Sequence, residues 1–152
     1  MIVQGYFLLA VTAFGAATLL PFPSEPAVIA LATQPGYDPV AIWLIATVAN
    51  TAGSMVNWWL GRACLRWRDR RWFPAGPGQL ARAERWFTRW GKWSLLLAWL
   101  PFVGDPLTVA AGILQVRPLT FLVLVGMGKA MRYAVVLYVL DAAIYAYRVS
   151  AG

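Results

Sequence analysis

LPFPSEP, from Leu20 to Pro26, breaks an apolar run with two prolines, a serine and a glutamate, and LPFVGDP, from Leu100 to Pro106, repeats that pattern eighty positions later. Proline has no backbone donor and clashes with the preceding turn, so each stretch ends a helix. Broken backbone at membrane depth survives only inside protein or beside water. The fold therefore turns on whether the surrounding chain is built for a membrane.

It is. Of 152 residues, 61% are apolar and 12% charged, and no Lys or Arg occurs between Met1 and Gly61. A soluble chain of this size needs a charged coat. The start, MIVQGYFLLAVTAFGAA, lacks a basic leader and runs straight into the first break, so it is read as retained. The net charge of +7 is concentrated: nine of thirteen basic residues lie between Arg62 and Lys92, interleaved with tryptophans. That is how a chain meets anionic lipid, and no nucleic-acid partner is expected.

The absence of histidine and the single cysteine, Cys64, exclude the usual zinc sites and the Ser-His and Cys-His catalytic arrangements. Cys64 is read as an inert thiol. Neither an enzyme nor a cofactor is expected.

Two stretches exceed the ~20 residues that ~30 Å of hydrocarbon requires: Pro39 to Gly61, and Leu119 to about Tyr147. The segments beside the breaks are shorter. Trp93 to Gly104 and Pro106 to Val116 reach only about mid-membrane at ~1.5 Å per residue, which suits a re-entrant hairpin turning at VGDP. Ile2 to Leu20 and Ala27 to Thr33 suit a second hairpin with a longer entering arm. Between the halves, GQLARAERWFTRWGK sets Leu80, Ala83, Phe87 and Trp90 on one face and Arg82, Arg85, Arg89 and Lys92 on another, an amphipathic helix lying along the inner leaflet.

The positive-inside rule puts the basic 62–92 loop in the cytoplasm and both termini outside. The expected fold is an all-α integral membrane domain spanning 1–152. Two re-entrant hairpins and two transmembrane helices form an inverted repeat (about 2–61 and about 93–147), joined by the amphipathic linker 62–92. Inverted repeats with broken helices meeting near the midplane are the architecture of many secondary transporters.

Helical rise puts Asn50 and Lys129 about halfway along their spans, with Arg132 one turn beyond Lys129. The hairpin tips bring Glu25 and Asp105 to similar depth. Four charges there are costly unless paired or beside water. Lys129 and Arg132 are expected to hold a phosphate or other anionic head-group, Arg gripping two oxygens. Glu25 and Asp105 are expected to take up and release a proton, freeing those bases. Asn50, Ser54 and Asn57 form a polar stripe that would line the site or join helices.

Four stretches in this order, ATLLPFPSEP, ATVANTAGSMVNWWLGR, ERWFTRWGKWSLLLAWLPFVGDPLTVAAG and GMGKAMRY, resemble the DedA proteins, which share the VTT or SNARE-associated domain, and specifically the short YqaA-like branch. The resemblance covers most of Ala17 to Tyr133. It implies a bacterial inner-membrane protein with two inverted re-entrant hairpins, in a family associated with flipping undecaprenyl phosphate, with phospholipid scrambling and with the proton gradient. Family acids would correspond to Glu25 and Asp105, and family arginines to Arg132 and Arg62. This chain is shorter than typical transporter members and lacks an additional terminal helix, which bears on the substrate more than on the fold.

The expected function is a transporter or flippase for an anionic lipid phosphate, proton-coupled through the midplane acids. The expected partners are membrane lipids and their anionic head-groups, and small-residue helix faces would suit a homodimer. The alternatives are an ion or proton antiporter using the same charges, and a non-transporting membrane organiser in which the charges only lock segments together.

Overall fold

The computed structural model describes residues 2–18, 23–63, 78, 82, 85, 87, 89–100 and 103–151, among which all regular structure is helical. Along the chain run α1 (Ile2–Ala16), α2 (Glu25–Ala32), α3 (Pro39–Ala63), a 3-10 segment (Gly91–Trp99), α4 (Gly104–Ile113) and α5 (Pro118–Ala151). Only α3, with 25 residues, and α5, with 34, have the length and apolar composition to cross a bilayer. At ~1.5 Å per residue α3 reaches about 37 Å and α5 about 51 Å. Both outlast the ~30 Å hydrocarbon layer.

Short helices accompany the two long ones, and their boundaries differ from those expected. The helix anticipated from Trp93 to Gly104 is instead a 3-10 segment ending at Trp99. Gly91, at φ +57°, occupies the left-handed region at its start, where a residue without Cβ is unstrained. The amphipathic helix therefore stops before Lys92. Residues 78, 82, 85, 87, 89 and 90 are helical, while Leu80 and Ala83 lie outside the described residues.

The second correction concerns the acids. Neither carboxylate sits in a turn: Glu25 opens α2 and Asp105 is the second residue of α4. Each is followed by proline, Pro26 and Pro106, whose missing donor costs nothing in a first helical turn. A carboxylate there also faces the positive end of the helix dipole. The repeated motif thus reads as the start of a short helix.

Most of the buried apolar residues among those described form two cores. Leu9, Ala13, Val28, Leu31, Ile42, Ala46 and Tyr133 make one; Trp58, Leu95, Ala98, Leu107, Ala110, Ala111, Phe121, Leu124 and Val125 make the other. Going along α3, the first core (Ile42, Ala46) precedes the second (Trp58); along α5 the order reverses, from Phe121 to Tyr133. The spanning helices are therefore antiparallel. Between the cores each carries buried polar residues, Asn50, Ser54 and Asn57 on α3 and Lys129 on α5.

The outward faces of the two long helices are apolar. Val48, Val56 and Trp59 on α3, and Leu119, Val123, Met127, Met131 and Val135 on α5, all face outward. Such a band would drive aggregation in water and fits hydrocarbon.

Backbone approach sets the crossing of α3 and α4. A Cβ on Gly61 would overlap the Val109 carbonyl, and one on Gly112 would overlap the Trp58 carbonyl. The two helices meet backbone to backbone, as small residues permit in membranes. The Trp58 indole N–H then donates to the Val116 carbonyl at 3.1 Å, tying the end of α3 to the turn between α4 and α5.

Candidate functional site

The polar layer between the two cores is built from side chains that tie helices through backbone carbonyls. Asn50 Nδ2 donates to the Ala13 carbonyl of α1 at 2.8 Å. Asn57 Nδ2 donates to the Ala17 carbonyl at 2.9 Å and to Thr108 Oγ1 of α4 at 3.3 Å, while Thr108 Oγ1 donates to the Asp105 carbonyl at 2.8 Å. Asn57 thereby joins the end of α1 to the start of α4. The Trp43 indole donates to the Ala130 carbonyl at 2.8 Å, pinning α3 to α5 one residue from Lys129.

The charged residues divide into two sets. Arg132 pairs with Glu25, and its Nη1 also donates to the Trp99 carbonyl at 3.3 Å. These two side chains keep 22% and 24% exposure, so the pair is partly exposed. Lys129, at 2%, is not. Its ammonium donates to Asn50 Oδ1, to Ser54 Oγ and, at 3.0 Å, to the Asn50 carbonyl. An ammonium has three donors. All three are met by one turn of α3, while Asp105 acts on Lys129 electrostatically.

Glu25 uses one oxygen on Arg132; the other, Oε2, is buried and unpartnered. That oxygen can carry a proton without breaking an existing hydrogen bond. Arg62 stands apart from this layer. It lies exposed in the last turn of α3 with its guanidinium 5.4 Å from the Trp58 ring, about 18 Å of helix from Asn50.

Sequence reasoning did not pick out Ser24, Trp99 or Tyr133. The Tyr133 hydroxyl and Ser24 Oγ are 2.7 Å apart, both buried. Adjacent residues of α5 thus hold adjacent residues at the start of α2: Tyr133 with Ser24, Arg132 with Glu25. The signal that could have found them is position: Ser24 lies within LPFPSEP, Trp99 directly before LPFVGDP and Tyr133 at the end of GMGKAMRY. A Tyr133→Phe chain should lose about 1–3 kcal/mol of stability, because Ser24 is left buried without a partner. Thermal unfolding will measure this, and adding Ser24→Ala should recover part of the loss; equal, additive losses would show that the two hydroxyls are uncoupled.

The model of the VTT domain matches residues 22–142, from the first proline-acid stretch through most of α5. The chain belongs to the VTT-domain family. The VTT-domain chain is 34% identical over 130 residues to the inner membrane protein YqaA of Escherichia coli, covering 86% of this chain and 87% of that one. An uncharacterized protein of Haemophilus influenzae is 33% identical over 138 residues, covering 84% and 82%. Undecaprenyl phosphate transporter A of Staphylococcus aureus is 26% identical over 93 residues, covering 56% of this chain and 46% of the transporter. No solved structure matches. Family and relatives together place this VTT-domain chain in a bacterial inner membrane.

Proposed function

We propose that this VTT-domain protein moves a lipid-linked phosphate across the inner membrane, and that Arg132 receives the head-group. One observation carries the proposal: a guanidinium in the polar layer, paired with a carboxylate on a different helix and still partly exposed. A phosphate offers the planar fork of arginine the same bidentate contact that a carboxylate does, with more charge. Glu25 occupies that contact in the empty site. Proton uptake on Glu25 removes its claim on Arg132 and leaves the guanidinium free for the anion. Asp105, at the equivalent place on α4, serves as the second proton carrier. No chemical step on the lipid is involved, so the protein is not an enzyme.

A distant relative named as an undecaprenyl phosphate transporter supports the class of cargo. The proposed architecture is the inverted repeat of two re-entrant pairs, α1 with α2 and the 3-10 segment with α4, the basic loop being cytoplasmic and both termini outside. The exposed Arg62 and its neighbours would then gather anionic lipid at the inner leaflet.

The test is reconstitution of the purified protein into liposomes containing a fluorescent lipid phosphate, under imposed proton gradients of either sign. Wild type should move the lipid at a rate that follows the gradient. Glu25→Gln, which still reaches Arg132 but carries no charge, should lose most of that dependence. A Glu25→Gln chain with the full gradient response would remove the proton role, and a wild type at the protein-free rate would remove transport. Gradient-driven movement of cations without lipid would point to an antiporter instead.

A further inference from the structure

Lys129 is a buried full charge whose hydrogen-bond acceptors are neutral oxygens, while Asp105 acts on it through space without a hydrogen bond to it among the described residues. Asn50 O, Asn50 Oδ1 and Ser54 Oγ converge on its ammonium from a single turn of α3. They resemble the partial hydration shell of a small cation more closely than they resemble a salt-bridge partner. The shell is also held from behind: Asn50 Nδ2 donates to the Ala13 carbonyl, which turns Oδ1 toward Lys129. One connected path therefore runs from the α1 backbone through Asn50 to the α5 lysine.

We propose that this turn of α3 is a binding site for a cation of the ammonium class, and that Lys129 is its resident, covalently tethered occupant. Lys129 is then a positioning residue. It locks α5 to α3, and through Asn50 to α1, so that Arg132, one turn further along α5, is presented to the start of α2. With its donors already satisfied, Lys129 has none for a phosphate, and the anion falls to Arg132 alone. The oxygen site itself is independent of which cargo the protein carries; only the division of labour with Arg132 rests on the transport reading.

Cutting the tether tests the site. The Lys129→Ala protein, purified in detergent, should unfold at a temperature lower by roughly 5 °C or more, since three buried acceptors lose their donor. Methylammonium chloride, which fits the vacated space and donates three hydrogen bonds, should recover at least half of that loss. Tetramethylammonium chloride at the same ionic strength, with no N–H, should recover none. An unchanged unfolding temperature, or equal recovery by both salts, would overturn the proposal.

Lys129→Met keeps the length and volume of the side chain and covers the case in which the alanine variant does not fold. Its unfolding temperature should fall below that of wild type, while the stabilisation given by inorganic phosphate stays within about twofold of wild type in midpoint concentration; Arg132→Gln should abolish that stabilisation. A tenfold or greater weakening in Lys129→Met would make Lys129 an anion ligand and overturn the assignment. Should phosphate stabilise none of the proteins, including wild type, the transport reading fails, and the methylammonium experiment, or the unfolding temperature of Lys129→Met, decides the tethered-cation site by itself.

Discussion

An Arg132→Ala protein is expected to move lipid phosphate at least a hundredfold more slowly than wild type, close to the protein-free rate. Charge-assisted hydrogen bonds contribute about 1.5–3 kcal/mol each, and losing the guanidinium forfeits two, so roughly two orders of magnitude follow from binding alone. The same substitution strands Glu25. Its carboxylate has Arg132 on one oxygen and nothing on the buried other, so removing the guanidinium leaves a charge in a low-dielectric layer without compensation. Breaking such a pair costs about 3–5 kcal/mol when fully buried, and somewhat less here, where both groups keep partial exposure. Stability and transport can be separated: Glu25→Gln/Arg132→Ala removes the stranded charge and should regain stability without regaining transport. Recovery of transport in that double variant would show that Arg132 acts only through Glu25. The readouts are liposome flux and thermal unfolding.

The second large effect is expected from Gly112→Val. Any Cβ at this position meets the Trp58 carbonyl and the Arg62 backbone nitrogen, neither of which can rotate aside as a side-chain tip would. The facing Gly61 makes the same demand on the Val109 carbonyl. Separating α3 from α4 would break the Asn57 to Thr108 bond and withdraw Trp58 from the second core. Overpacking commonly costs about 1–3 kcal/mol, and the rigid backbone partners place this case at or above the upper end. For marginally stable proteins that is a large share of the total. The expected outcome is a steep drop in the amount of folded protein in membranes and an unfolding temperature below that of Tyr133→Phe. A wild-type profile would mean that α3 and α4 do not meet there.

Much of this fold could be read from residues. Apolar runs located α3 and α5 to within a few positions, because span length and hydropathy are properties of contiguous chain. Helical rise put Asn50 and Lys129 at matching depth, and the structure brings these two into contact. What rise cannot supply is the partner. Lys129 and Arg132 lie one turn apart, yet the first turns into α3 and the second to Glu25 and the Trp99 carbonyl. That choice depends on how α5 is rotated against its neighbours, which no local pattern encodes. Ser24 and Tyr133 are 109 positions apart, and only the docked start of α2 makes them neighbours. The proline-acid motif was legible as an interruption but not as a helix start, since proline is compatible with both a turn and a first helical turn. Arg62 illustrates the opposite limit: the resemblance groups it with Arg132 as a head-group ligand, yet it lies exposed beside Trp58 and apart from the polar layer.

The most direct measurement is to let the lipid report where its head-group rests. A lipid phosphate bearing a photoreactive diazirine next to the phosphate, illuminated in membranes containing the wild-type protein, should form adducts on peptides holding Ser24 and Glu25 and on those holding Arg132 and Tyr133, suppressed by excess unlabelled lipid phosphate. Adducts confined to the basic 62–92 loop, with none on the start of α2 or the middle of α5, would contradict the claim that the Glu25 and Arg132 pair is the place where the anion is received.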